Sequence, residues 1–248
     1  MRIIISPAKK MNVDTDSLRW RDLPMFLPKA EVLCDKLQAM ELADLKKLWK
    51  CNDSIATLNY ERLQNMDLRH HLTPAILAYE GIQYRYMAPG VFSDLEFDYV
   101  QEHLRILSGF YGMLRPFDGV TPYRLEMQAK LPTANAADLY RYWGKSIADQ
   151  LFHETDCIVN LASKEYSLCV SRYLPEHIQF ITCVFGELQE SKVIEKGTLC
   201  KMARGEMVRF MAEHQIHTIS ELKTFDRLNY SYSEEHSDPN TYVFLQKL

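Results

Sequence analysis

Residues 107–127, LSGFYGMLRPFDGVTPYRLEM, gather turn formers, aromatic rings and charges where a core element would show simple periodicity. Gly109, Gly112 and Gly119 supply backbone freedom and Pro116 and Pro122 fix φ, so Arg115, Asp118, Arg124 and Glu126 are held between rigid corners. Carboxylates fixed beside guanidinium groups suit general acid–base catalysis by Asp118 or Glu126, or retention of a phosphate by Arg115 and Arg124. The structural alternative is an Ω-loop with internal salt bridges, in which Arg124 and Glu126 neutralise each other.

Three further segments carry similar chemistry. Ser6, Lys9 and Lys10 follow the apolar run Ile3-Ile4-Ile5, and Lys164, Glu165 and Tyr166 follow the apolar run beginning at Cys157. Each puts polar groups at the carboxyl end of a strand, the edge where open α/β sheets bind ligands. The third segment holds Lys201, Arg204 and Arg209. Lysines and arginines converging from separate segments, with Tyr111, Tyr123 and Tyr166 among them, suit a nucleotide or a nucleic-acid backbone with a stacked base. Glu165, Asp118 and Glu126 are acids that a plain phosphate groove does not need, and Ser6 adds a hydroxyl.

Common catalytic signatures are absent: there is no G-x-S-x-G, H-E-x-x-H, Walker loop or G-x-G-x-x-G. His70 and His71 form an isolated pair, and the six cysteines show neither C-x-x-C nor metal spacing to a histidine. No metal site or cofactor is expected, and the cysteines read as reduced, mostly buried thiols of a cytoplasmic protein. A net charge of −4 leaves nucleic-acid binding to a local patch rather than to global attraction. The apolar run at the amino terminus is too short for a signal peptide or a membrane span.

The chain of 248 residues, 47% hydrophobic, can bury a large core. With no linker, repeat or low-complexity tract, residues 1–248 read as one domain. Residues 2–5 predict a central strand, and 28–50 a helix in two segments. Asn52, tolerating φ > 0, and Asp53 as N-cap connect a helix over 41–50 to one over 53–63. This αα-hairpin resembles a helix-hairpin-helix, with Lys46, Lys47 and Lys50 near its turn, although Lys50 and Asn52 stand where that motif has glycines. A hairpin that only packs is the alternative. Residues 74–87 fit a strand or a helix start near Gly81. Ser93 and Glu96 form a capping box for a helix whose stripe runs through Phe97, Val100, Leu104 and Leu107. A single helix is expected over 137–151, strands over 157–162, 178–185, 192–194 and 198–201, a helix over 203–214, a short helix from Ser220, and a last strand over 242–245. The alternation indicates α/β, with α+β the alternative, built on a mixed sheet flanked by helices.

The opening IIISPAKK, the loop over 107–127, the segment IVNLASKEY and the later KMARGEMVRF together resemble the YaaA family of bacterial peroxide stress resistance proteins, from Met1 to the carboxyl terminus. The resemblance implies a cytoplasmic, peroxide-induced protein associated with limiting free iron and hence Fenton damage to DNA. It also implies a single-domain α/β fold of unusual topology, a positively charged cleft, and DNA binding with a helix-hairpin-helix element. The motifs map onto residues 6–9, 111–127, 160–166, and Lys201, Ala203, Arg204 and Gly205. Met202 stands where members often carry a second basic residue, which weakens the patch.

The expectation is thus a sequence-independent DNA-binding stress protein whose cleft uses Lys9, Lys10, Arg115, Tyr123, Arg124, Lys164, Lys201, Arg204 and Arg209, with the hairpin lysines nearby. The alternative is an enzyme acting on a nucleotide or nucleobase through Glu126, Asp118, Glu165 or Ser6. Direct iron sequestration is the least favoured, for want of a ligand cluster.

Overall fold

The computed structural model describes residues 1–247. β1 (Arg2–Ile5) and β2 (Lys10–Met11) precede α1 (Leu27–Gln38), α2 (Leu42–Trp49) and α3 (Asp53–Gln64). β3 (Thr73–Pro74), α4 (Ala75–Ala78), β4 (Tyr79–Glu80) and α5 (Ile82–Met87) lead to α6 (Asp94–His103) and β5 (Leu104–Ser108). β6 (Gly112–Leu114), β7 (Gly119–Val120), α7 (Leu139–Trp143), α8 (Ser146–Glu154), β8 (Cys157–Leu161) and α9 (Lys164–Ser171) follow. β9 (Gln179–Gln189), β10 (Lys192–Ile194), α10 (Gly197–Glu213), β11 (Tyr230–Tyr232) and β12 (Thr241–Gln246) complete the order.

Ile3, Ile4 and Ile5 are buried on both faces, as a β-branched run in a parallel sheet should be. β1 pairs in parallel with β5 on one side and β8 on the other. β8, β9 and β12 continue the parallel ladder, and the antiparallel β6 and β11 close its two edges. The sheet is therefore mixed and the fold α/β, with helices packed around it. One cluster of buried side chains runs from Ile3 to Phe244. Its register sets Ile5 opposite Leu161, so the chain leaves β1 and β8 side by side.

Several local expectations change. Residues 198–201 are not a strand but the first turns of α10, because Ala203, Met207, Val208 and Met211 form one buried helical stripe that Cys200 extends backwards. The single helix over 137–151 is two, broken where Gly144 takes φ 51°. α6 keeps its Ser93–Glu96 capping box but stops at His103; Leu104 and Leu107 belong to a central strand, not to the helix stripe. Residues 74–87 combine both readings, with Gly81 preceding α5. At the αα-hairpin Lys50, not Asn52, takes the left-handed conformation, φ 47°. Asn52, not Asp53, is the N-cap and accepts the Ile55 N–H at 2.9 Å. The short strands β2, β3, β4, β7 and β11 carry too few residues for a period to register.

Candidate functional site

The four chemistry-bearing segments meet. The exits of β1 and β8, residues 123–126 and the first turns of α10 line a cavity of about 410 Å³ at the carboxyl ends of the central strands. Parallel pairing of β1 with β8 brings Ser6 to Ser163: the Ser163 N–H donates to Ser6 Oγ at 2.8 Å, and Ser6 Oγ donates to Ser163 Oγ at 3.2 Å. The Tyr84 hydroxyl donates to the Ser6 carbonyl at 3.0 Å and pins this floor to α5.

Two glycines set the walls. A Cβ on Gly109 would stand 2.5 Å from the Leu125 carbonyl oxygen, so only glycine lets the irregular segment carrying Arg124 and Glu126 lie this close. On Gly205 it would stand 2.1 Å from the Gln83 carbonyl oxygen; its absence lets α10 lie flat on α5, which aims Lys201 and Arg204 into the cavity. Behind the wall a buried hydroxyl chain links Tyr79, Tyr123 and Ser108 at 2.8 and 2.7 Å. Tyr123 therefore lines the cavity with its ring while its hydroxyl is bound inward.

The charges are unevenly paired. Lys9 Nζ lies 2.8 Å from Glu126 Oε1, and Arg124 Nη2 lies 4.0 Å from the same oxygen. Arg204 reaches Glu195 only at 3.5 Å. The Nε atoms of Arg124 and Arg204 are buried and donate to no acceptor among the described residues. A buried guanidinium donor without a partner is costly, so both arginines are held under-paired beside the cavity they line. Glu165 accepts the Gln128 N–H at 3.2 Å. Burial pushes its carboxyl above the ordinary range, and the charge of Glu126 adds to this against Gln128 and Lys9. Lys10 lines the cavity but is tied to Glu80 at 2.7 Å.

Other sequence candidates lie elsewhere. Asp118 is buried and accepts from the Arg115 backbone N–H at 2.9 Å and side-chain Nε at 3.1 Å, while Arg115 also meets Asp22 at 3.2 Å. Burial outweighs that guanidinium and pushes Asp118 up to about 6. This corner is neutralised by its own ion pairs, Arg115 with Asp118 and Asp22 rather than the Arg124–Glu126 pair of the structural alternative, and neither Arg115 nor Asp118 lines the cavity. Tyr111 is wholly buried in the core. Arg209 pairs with Glu213 on its own helix at 2.7 Å. Lys164 opens α9 without lining the cavity. Lys46 and Lys47 are held by Asp53 and Asp44, and with Lys50 they stand on the separate αα-hairpin. Sequence reasoning missed Glu80, Gln83 and Tyr84, whose only local signal was Gly81 between two aromatic runs. Among the described residues no cluster of three His, Cys, Asp or Glu side chains could hold a metal ion. No helix there is long and apolar enough to cross a membrane.

The amino-acid sequence is similar to those of known proteins along nearly its whole length. The model of the family described as peroxide stress protein YaaA matches residues 1–236. The chain belongs to the YaaA family. A UPF0246 protein of Desulfitobacterium hafniense (strain Y51) is 57% identical over 100% of this chain and 99% of its own length. Similar UPF0246 proteins occur in Lachnoclostridium phytofermentans, at 54% identity over 99% of this chain and 96% of the relative, and in Pediococcus pentosaceus, at 52% over 99% and 98%. In this YaaA family member every segment that builds the cavity falls within residues 1–236, which the family model covers.

Proposed function

We propose that this peroxide stress protein binds DNA without sequence preference through the phosphates it draws into the cleft, and thereby limits iron-dependent oxidative damage in the cytoplasm. The observation that carries this reading is the convergence of Lys9, Arg124, Lys201 and Arg204 on one cavity, with two buried guanidinium nitrogens left without acceptors. Guanidinium forks match phosphate oxygens, and such contacts position a backbone without reading its bases. At the αα-hairpin Lys50 is the lysine that could add a further phosphate contact, since Lys46 and Lys47 are already paired with Asp53 and Asp44.

The test is a gel-shift titration of the double variant Lys201→Ala, Arg204→Ala against several unrelated duplexes. Affinity at low salt should fall at least tenfold on all of them, and the slope of log K against log salt should shrink by about 2, one for each phosphate no longer neutralised. Unchanged affinity in a folded double variant overturns the reading.

A second reading has its own observation, the half-buried Glu165 held protonated more readily than an ordinary carboxyl, with Glu126 2.8 Å from Lys9 on the same cavity. A carboxyl shifted upwards in a cleft is a candidate general acid, as nucleotide or nucleobase chemistry would require, with Glu126 the second carboxyl at hand. Glu126→Gln would then keep DNA affinity yet abolish peroxide protection in cells; full protection by the folded variant ends this second reading.

A further inference from the structure

Three carboxylates line the cavity, and they are not held alike. Glu80 is bound by Lys10 at 2.7 Å, and Glu126 by Lys9 at 2.8 Å with Arg124 4.0 Å away. Among the described residues no lysine, arginine or histidine nitrogen comes within 4.0 Å of the Glu165 carboxylate. It accepts instead from a neutral donor, the Gln128 backbone N–H, at 3.2 Å. Glu165 is thus an unneutralised acid in a cavity whose α10 cations are themselves poorly matched: Arg204 meets Glu195 only at 3.5 Å, and Lys201 meets no acid within 4.0 Å among the described residues.

The surroundings of Glu165 decide which form it keeps. It stands in the first turn of α9, where the helix end favours the charged form, and Lys9 favours it too. Burial and the charge of Glu126 outweigh both and lift the carboxyl above its ordinary range. The Tyr140 hydroxyl of α7 donates to the Glu165 carbonyl oxygen at 2.9 Å, which fixes the backbone of Glu165 beside the cavity. Burial pushes the Tyr140 hydroxyl and the Cys169 thiol up to about 12, and the Tyr166 hydroxyl well above its ordinary value, so these neighbours stay neutral near pH 7. Lys164, next in sequence, is exposed and outside the lining, and no histidine lines the cavity. Of the three lining carboxyls, Glu165 is the one whose charge is least supported.

An anion drawn to Lys201 and Arg204 adds negative charge to a site that already holds an unpaired carboxylate, and like charges in one poorly solvated cavity raise each other's cost. We propose that Glu165 is a proton-linked gate on the cleft: a bound anion and the Glu165 carboxylate exclude one another, so phosphate or sulfate enters as Glu165 takes up one proton from the solvent. This rests on the phosphate-binding reading of the cleft and adds its regulation. By linkage, the same coupling makes the cleft hold anions more tightly as the pH falls and release them as it rises.

Calorimetric titration of the full chain with sodium sulfate, an anion that keeps its charge throughout, tests it from pH 5 to pH 8 at constant ionic strength. The wild type should gain affinity on acidification, by up to about tenfold per pH unit where one proton is taken up, and the heats in buffers of different ionisation enthalpy should return that proton directly. Sulfate binding without proton uptake by the wild type overturns the proposal and needs no variant. Glu165→Gln, checked by melting, should bind sulfate at pH 8 about tenfold or more tightly than the wild type and lose most of the pH dependence. Glu126→Gln removes the neighbouring charge, so its curve should move to lower pH with its slope kept. A Glu165→Gln curve parallel to that of the wild type also overturns the proposal. If Lys201→Ala, Arg204→Ala weakens sulfate and DNA binding while the pH dependence survives Glu165→Gln, only this inference fails; if the double variant binds both as the wild type does, the phosphate reading fails with it.

Discussion

The two ends of the same parallel strands carry buried charge in opposite ways. At the amino-terminal edge, Arg105 in β5 donates to Glu154 Oε2 from Nε at 2.7 Å and from Nη2 at 2.6 Å, and Arg2 in β1 adds a third hydrogen bond at 3.1 Å. Arg105 Nη1 also reaches the Leu104 and Gln101 carbonyls. Burial alone would raise the Glu154 carboxyl, but Arg105 and the hydrogen bonds around it bring it below the ordinary range. At the carboxyl edge, Arg124 and Arg204 are buried to a similar degree, with 11% and 14% of their side chains exposed, yet each keeps a donor without an acceptor. Burial is therefore not the mark of a site. Incomplete pairing of buried charge is, because the fold bears the desolvation cost without the matching partner, and a ligand supplies what is missing.

That contrast is broken or sharpened first by stability. Glu154→Ala leaves Arg105 as an unpaired buried cation and should cost about 3–5 kcal/mol in denaturant unfolding, with no change in DNA affinity beyond the loss of folded protein. Arg204→Ala removes a cation whose pairing is already poor, so its unfolding free energy should change by no more than about 1 kcal/mol while DNA binding falls. Equal destabilisation by the two variants would erase the distinction between the edges.

How far the residue string shows this contrast depends on the scale at which each part is encoded. β1, β8, α6 and the four polar segments are legible because hydrophobic runs, a capping box and strand-end chemistry are local signals. Their convergence is not local: it needs the pairing of β1 with β8 and the close approaches at Gly109 and Gly205, which join residues distant in sequence. For the same reason Arg115 and Asp118 look as functional as Arg124 and Glu126 in the loop over 107–127. Only the fold turns the first pair towards Asp22 and the second towards the cleft. The strand expected over 198–201 fails because Cys200 and its apolar neighbours fit either period until Ala203, Met207 and Met211 extend the helical one. Arg105 and Glu154 carry no local signal, since an arginine inside an apolar strand gives no hint of a partner 49 residues on.

The smallest expected effect, and the sharpest in sign, is the dependence of stability on pH at the two edges. Glu154 titrates below its ordinary value when folded, so the stability it contributes is present at neutral pH and is lost as the pH falls below about 4.5. Glu165 titrates above its ordinary value, so its contribution is present below about 4.5 and is lost as the pH rises through the folded value. Chemical denaturation of Glu165→Gln beside the wild type, from pH 4 to pH 7, should therefore show the wild type losing ground to the variant as the pH rises. Glu165 is only half buried, and solvent screening holds the difference to less than about 1 kcal/mol. Glu154→Gln should move the other way, its deficit against the wild type narrowing on acidification. Parallel pH profiles for the two variants would mean that the carboxylates at both edges are held alike, and the paired and unpaired ends of the sheet would no longer differ in kind.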